Sequence, residues 1–164
     1  MPIVLDAMGS DDCPQPEVEG ALKFVNTFDE QVYLVGDRVQ VEPLLEPHPK
    51  ITLIQAEDTI TMEDKGLKLA LKAKRRNSKT SMAIGMDLVK EGKADAFVSA
   101  GNTGGALTTA YFRLGVMEGI ERPGLTALVP VSGGHCVVLD IGANPDCKPE
   151  HLVQFAVMGS IYAQ

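Results

Sequence analysis

Three short stretches carry the residue types from which a site for a polar ligand is built. They are Asp6-Ala7-Met8-Gly9-Ser10-Asp11, Ser99-Ala100-Gly101-Asn102-Thr103-Gly104, and the longer run from Asp140 through Gly142, Asn144 and Asp146 to Lys148. Each combines glycine with acid, amide or hydroxyl groups. The second has the clearest chemistry. Gly101, Gly104 and Gly105 let the backbone come close to a ligand, and Asn102 and Thr103 are cap-type residues just before the helix-forming run 106–110. A strand feeding such a loop at a helix start presents unpaired amides and the positive end of the helix dipole, which suits an anion. A plain strand-to-helix turn has the same signature.

Other groups allow more than one reading. Asp6, Asp140 and Asp146 can bind Mg²⁺ or can cap backbone amides at loop starts. His151 falls in the first turn of the last helix, three residues past Lys148, and of the three histidines it is best placed for acid–base work; capping is the alternative role. Cys13, Cys136 and Cys147 are odd in number and form no Cys-x-x-Cys pair, so they read as reduced thiols without a structural metal. No Gly-x-Gly-x-x-Gly follows the first strand and no Gly-Lys-Ser/Thr P-loop occurs, which counts against nucleotide chemistry. Lys65, Lys68, Lys72, Lys74, Arg75, Arg76 and Lys79 crowd one segment that contains no acid. Lys68, Lys72 and Arg75 or Arg76 share a helix face, either solvated or used to dock an acidic partner.

The elements that must position these groups follow from patterning. Apolar runs at 3–6, 31–35, 51–54, 94–99, 125–131 and 136–140 read as strands. Helices are expected from Pro14, at 39–45, over 63–76, over 82–91 with Ser81 as its cap, over 103–114 and from Glu150 to about residue 163. The run around Phe97 and Val98 suits a strand covered on both faces. Alternating strands and helices indicate an α/β fold with a mostly parallel sheet, and Gly133-Gly134 can close strands five and six into a local hairpin. If the strands ahead of the three polar loops are neighbours, those loops line one crevice. The 164 residues are 45% hydrophobic, enough for a real core in a single α/β domain, 1–164. A net charge of −7 argues against nucleic-acid binding. Neither a signal peptide nor a membrane span is apparent, which suggests a cytoplasmic protein.

Asp6-Ala7-Met8-Gly9, Ser99-Ala100-Gly101-Asn102-Thr103-Gly104, Ile120-Glu121-Arg122-Pro123 and the run from Leu139 to Leu152 strongly resemble the phosphate acyltransferases of bacterial phospholipid synthesis. So does Gln154-Phe155-Ala156-Val157-Met158-Gly159-Ser160-Ile161-Tyr162-Ala163. Members of that family are roughly twice as long, so the resemblance makes this an N-terminal half. It implies a three-layer α/β/α sandwich like that of isocitrate dehydrogenases and phosphate acetyltransferases. It also implies transfer of a fatty acyl group from acyl carrier protein to inorganic phosphate, with no cofactor, by a cytosolic homodimer able to associate loosely with the membrane.

On that reading Gly9, Gly101, Asn102, Thr103 and Gly104 hold phosphate. Lys148 or His151 polarises carbonyl or phosphate, Asp6 and Asp140 orient the loops, and Asn144, Asp146 and Ser81 support them. Lys68, Lys72, Arg75 and Arg76 dock the carrier protein. Phosphate is itself the nucleophile, so no covalent enzyme intermediate is needed. Two alternatives are an oxidoreductase of a phosphorylated or nucleotide-linked metabolite on a related fold, and a non-catalytic half that binds carrier protein or dimerises. Ser10 and Gly105 depart from the family pattern, which has glycine and alanine there.

Overall fold

Alternation along the strands sets the layers. In β2 (Val32–Gly36), Val32 and Leu34 face one side of a sheet, while Tyr33 and Val35 face the other. The first pair packs on Val18, Ala21 and Val25 of helix α1 (Gln15–Thr27). The second packs with Val4 against Ile84 and Leu88 of helix α4 (Ser81–Lys90). The result is helix, sheet, helix: the α/β/α layering expected from the sequence.

The computed structural model describes residues 1–164. They form two compact units, Met1–Gly115 and Val116–Gln164. The first holds a four-stranded, wholly parallel sheet in the order β3 (Ile51–Gln55), β2, β1 (Ile3–Asp6), β4 (Ala96–Val98). The chain runs outward from β1 to β2 and β3, then returns to pair β4 on the opposite side of β1, with Leu5 beside Val98. Between β1 and β4 the strand order therefore reverses, and crevices open at the carboxyl ends of strands at such points. A short helix α2 (Arg38–Val41) continues into a 3₁₀ turn and leads to β3. Helices α3 (Gly66–Lys74) and α5 (Thr103–Arg113) complete the unit.

Several boundaries differ from the patterning. Helix α3 begins at Gly66 rather than Glu63, because Thr61–Asp64 forms a turn and Gly66 takes a positive φ of 52°. The cap of α4 is Thr80, whose hydroxyl accepts from the Ala83 amide at 3.3 Å; Ser81, read as the cap, is fully buried inside the helix and its Oγ has no partner. Strand β4 is the sheet edge, so Val98 stays 47% exposed instead of covered on both faces.

In the second unit, β5 (Thr126–Val131) and β6 (Gly134–Leu139) form an antiparallel hairpin turned at Gly133, φ 87°. Helix α6 (Pro149–Tyr162) follows and buries His151 and Phe155. Within this unit β6 pairs with β5, and Asp140 follows it. No helix is long and apolar enough to cross a membrane.

Candidate anion-binding site

The site in the first unit begins with two strand ends brought side by side. Asp6 closes β1 and is fully buried. Its Oδ1 accepts the Met8 amide at 3.0 Å, which turns the following loop, and its Oδ2 accepts the Ser99 hydroxyl at 2.7 Å. Ser99 Oγ in turn accepts the Gly101 amide at 3.1 Å. One carboxylate thus fixes the loop after β1 and, through a serine, the loop after β4.

The loops also touch. A Cβ on Gly9 would lie 2.8 Å from the Gly101 nitrogen and 2.9 Å from Ser99 Oγ, closer than real side chains come. Glycine at 9 and at 101 is what lets the two backbones meet. A third loop, after β3, braces them: the Thr59 hydroxyl donates to the Met8 carbonyl at 3.2 Å. Glu17 of α1, largely buried, accepts the Ser10 amide at 3.1 Å.

Helix α5 starts at this junction. Asn102 is its cap, with Oδ1 accepting the Gly105 amide at 2.9 Å. Its Nδ2 donates to the Thr61 and Asp64 carbonyls, at 2.9 and 3.1 Å. The Asn102 side chain is therefore engaged at both ends in holding the helix start. The amides of Thr103 and Gly104 are the first two of the helix and have no carbonyl four residues back inside it. Thr103 and Gly104 are exposed and line a cleft of about 500 Å³ with Asn102, Thr108, Lys65 and Leu69. Two free amides at the positive end of a helix dipole, with a lysine across the cleft, suit a small anion.

The basic segment is less bare than its sequence suggests. Asp64, fully buried, meets Lys68 Nζ at 2.5 Å and Lys72 Nζ at 2.9 Å, and Lys72 also reaches Asp58 at 3.3 Å. The Lys68 ammonium holds the Asp64 carboxyl well below the usual carboxylate range against the opposing effect of burial, and Lys72 adds to this. Burial pulls Lys72 down, but Asp64 and Asp58 outweigh it and leave its pKa raised. Lys72 is thus mostly committed to its own fold, whereas Arg75 and Arg76 are exposed, as are Leu67 and Leu71 of α3. The acids that meet these lysines lie just upstream of the basic run, so the run itself gave no sign of them.

In the second unit, Asp140 organises its own loop. Oδ1 accepts the Leu125 and Ala143 amides at 3.0 and 3.3 Å; Oδ2 accepts the Asn144 amide and its Nδ2 at 2.8 and 3.1 Å. Burial opposes its ionisation, but these donors outweigh burial and lower its pKa. Asn144 Nδ2 also donates to the Pro123 carbonyl at 2.9 Å, and Arg122 donates to the Asp146 carbonyl at 3.3 Å. His151 is buried. Its Nδ1 accepts the Lys148 amide at 3.1 Å, so the other nitrogen carries the proton and faces Glu121 Oε2 at 3.2 Å. That is the capping role, and it engages both ring nitrogens. Lys148 itself is exposed. No group of three or more His, Cys, Asp or Glu side chains is gathered as metal ligands.

Patterning singled out Asp6, Gly9 and the 99–104 loop, which the structure brings together. It missed Ser99 as the relay, Thr59 and Thr61 as braces, Glu17 as a buried acceptor and Asp64 as an ion-pair hub. Only a pairing of β1 with β4 could have found Ser99 beside Asp6.

A sequence model of the fatty acid synthesis protein family matches residues 1–164. Among curated relatives, proteins named phosphate acyltransferase are similar throughout. That of Koribacter versatilis is 46% identical over 98% of this chain and 45% of its own length. That of Exiguobacterium sp. is 44% identical over 100% and 50%, and that of Bacillus licheniformis 45% identical over 100% and 49%. The chain spans about half the length of the curated relatives it matches.

Proposed function

Because this chain belongs to the fatty acid synthesis protein family, we propose that it forms the phosphate-holding part of a phosphate acyltransferase that takes a fatty acyl group from acyl carrier protein. The observation that carries this reading is the start of α5, where Thr103 and Gly104, the first residues of the helix, line the cleft and Asn102 is held in place by three hydrogen bonds. An anion bound there sits at a positive helix end. The Asp6–Ser99–Gly101 chain keeps the loop from rearranging around it.

The chemistry asks little more of these residues. A phosphate oxygen attacks the thioester carbonyl carbon, the C–O bond forms, the C–S bond breaks, and the thiolate leaves to take up a proton. The products are acyl phosphate and free carrier thiol. A thiolate leaves readily, so the contribution of the protein is chiefly to position phosphate and to stabilise the developing oxyanion. Both nitrogens of His151 are engaged, which leaves it the capping role. Acyl carrier proteins are acidic, and the exposed Arg75 and Arg76, with Leu67 and Leu71 exposed on the helix before them, offer such a partner charge and apolar contact. The same reading makes the enzyme a cytosolic homodimer with loose membrane association.

The test is release of carrier thiol from an acyl carrier protein thioester by the full chain. Release that rises with phosphate concentration supports the reading, and binding of the carrier without release makes this a non-catalytic half. Asn102→Ala should raise the KM for phosphate about tenfold, as the start of α5 loses its cap. An unchanged KM and turnover would remove phosphate from α5.

A further inference from the structure

Asp64 has no place in the acyl-transfer chemistry, yet three stretches converge on it. It is fully buried. Its Oδ2 accepts the Thr61 amide at 3.1 Å, and its own amide donates to the Thr61 carbonyl at 3.1 Å, closing the turn ahead of α3. Lys68 and Lys72, one turn apart on α3, hold its two oxygens. Lys72 also donates to the Thr59 carbonyl at 2.6 Å, the residue that braces the Met8 loop. The Asp64 and Thr61 carbonyls then take both hydrogens of Asn102 Nδ2. Asn102 has one amide plane, so fixing its nitrogen fixes the oxygen that caps Gly105.

We propose that Asp64 is a positioning residue that links the basic helix α3 to the start of α5, so that the ion pairs of Lys68 and Lys72 set the aim of the Thr103 and Gly104 amides. The far ends of the two helices are tied independently, by Arg113 of α5 donating to the Arg75 and Arg76 carbonyls, both at 3.1 Å. With that end fixed, freedom at the cleft end is decided by the Asp64 turn. Lys68 is 68% exposed, so anything acidic that draws it away from Asp64 acts on the same turn from outside. The link to phosphate rests on the reading of α5 given above; the link from Asp64 to Asn102 does not.

The test is Asp64→Asn in the full chain, read in two ways. Amide hydrogen exchange at Gly105 should quicken by about tenfold as the Asn102 cap loosens, with global stability measured alongside. The KM for phosphate should rise several-fold, roughly three to ten, with kcat changed less than about twofold, and the double variant with Asn102→Ala should be no worse than Asn102→Ala alone. Unchanged exchange at Gly105, or additive effects in the double variant, overturns the link. Faster exchange with an unchanged KM keeps the link and overturns phosphate at α5. If Asp64→Asn does not fold, Lys72→Met is read by the same exchange at Gly105, with the same outcomes.

Discussion

Asp6 and Asp140 look alike in sequence: each ends a strand and opens a loop containing glycine and a second acid. Their partners separate them. Asp140 gives both oxygens to donors within its own hairpin and loop, the farthest being Leu125, 15 residues away. Asp6 gives one oxygen to Met8 and the other to Ser99, 93 residues away. The first carboxylate shapes one loop. The second makes two loops into a single surface. A strand-end carboxylate says nothing by itself about function; the chain distance to what it holds is the informative quantity.

The comparison can be broken most directly by removing both groups in turn. Asp6→Ala strands a part-buried hydroxyl and a part-buried amide and should cost about 2–4 kcal/mol in denaturant unfolding, with a large rise in the KM for phosphate. Asp140→Ala should cost about 1–2 kcal/mol and leave that KM within about twofold. Equal effects on the KM would erase the distinction drawn here. Asp140 also adds an acid limb. Its pKa is lowered in the folded state, so its contribution is present above the ordinary carboxylate value near 4 and is lost as pH falls through the folded pKa. The alanine variant should show a flatter decline of stability below about pH 4.

A smaller effect sharpens the same contrast. Gly9→Ala puts a methyl against the Gly101 nitrogen and forces the two loops apart, at about 1–2 kcal/mol. Binding of phosphate should weaken with it, whereas a loop that served only itself would lose stability alone. Smallest is a pair of neighbours. Thr80→Ala removes the cap of α4 and should cost about 1 kcal/mol; Ser81→Ala should change the free energy of unfolding by less than about 0.5 kcal/mol, because its hydroxyl has no partner.

That pair also shows how far patterning reaches. The parallel sheet, its helices and the hairpin at Gly133 follow from apolar runs and glycines, which are local signals. Thr80 and Ser81 are both good caps, and propensity does not choose between them; the full burial of Ser81 does. Glu63 to Lys65 reads as helix because its residues are good helix formers, yet Asp64 closes a turn instead, since its carboxylate finds the Thr61 amide and two lysines there. The loops of Asp6 and Gly101 were legible as polar and glycine-rich. Their meeting was not, because it depends on β4 returning to the far side of β1, a long-range pairing that leaves no local mark.

The contact of Gly9 with Gly101 has a kinetic side. The cradle cannot form from either half of the first unit alone, since it needs β1 and β4, whose paired residues lie 93 positions apart, to be in register. Closing so long a loop is entropically slow and comes late in folding. On the function proposed above, an anion held at the start of α5, just after that seam, binds the folded chain and not the unfolded one, and so draws the equilibrium toward the registered sheet. Ligand and strand then protect each other: on that reading the site acts as a clasp on β4, one of the two edge strands of the sheet.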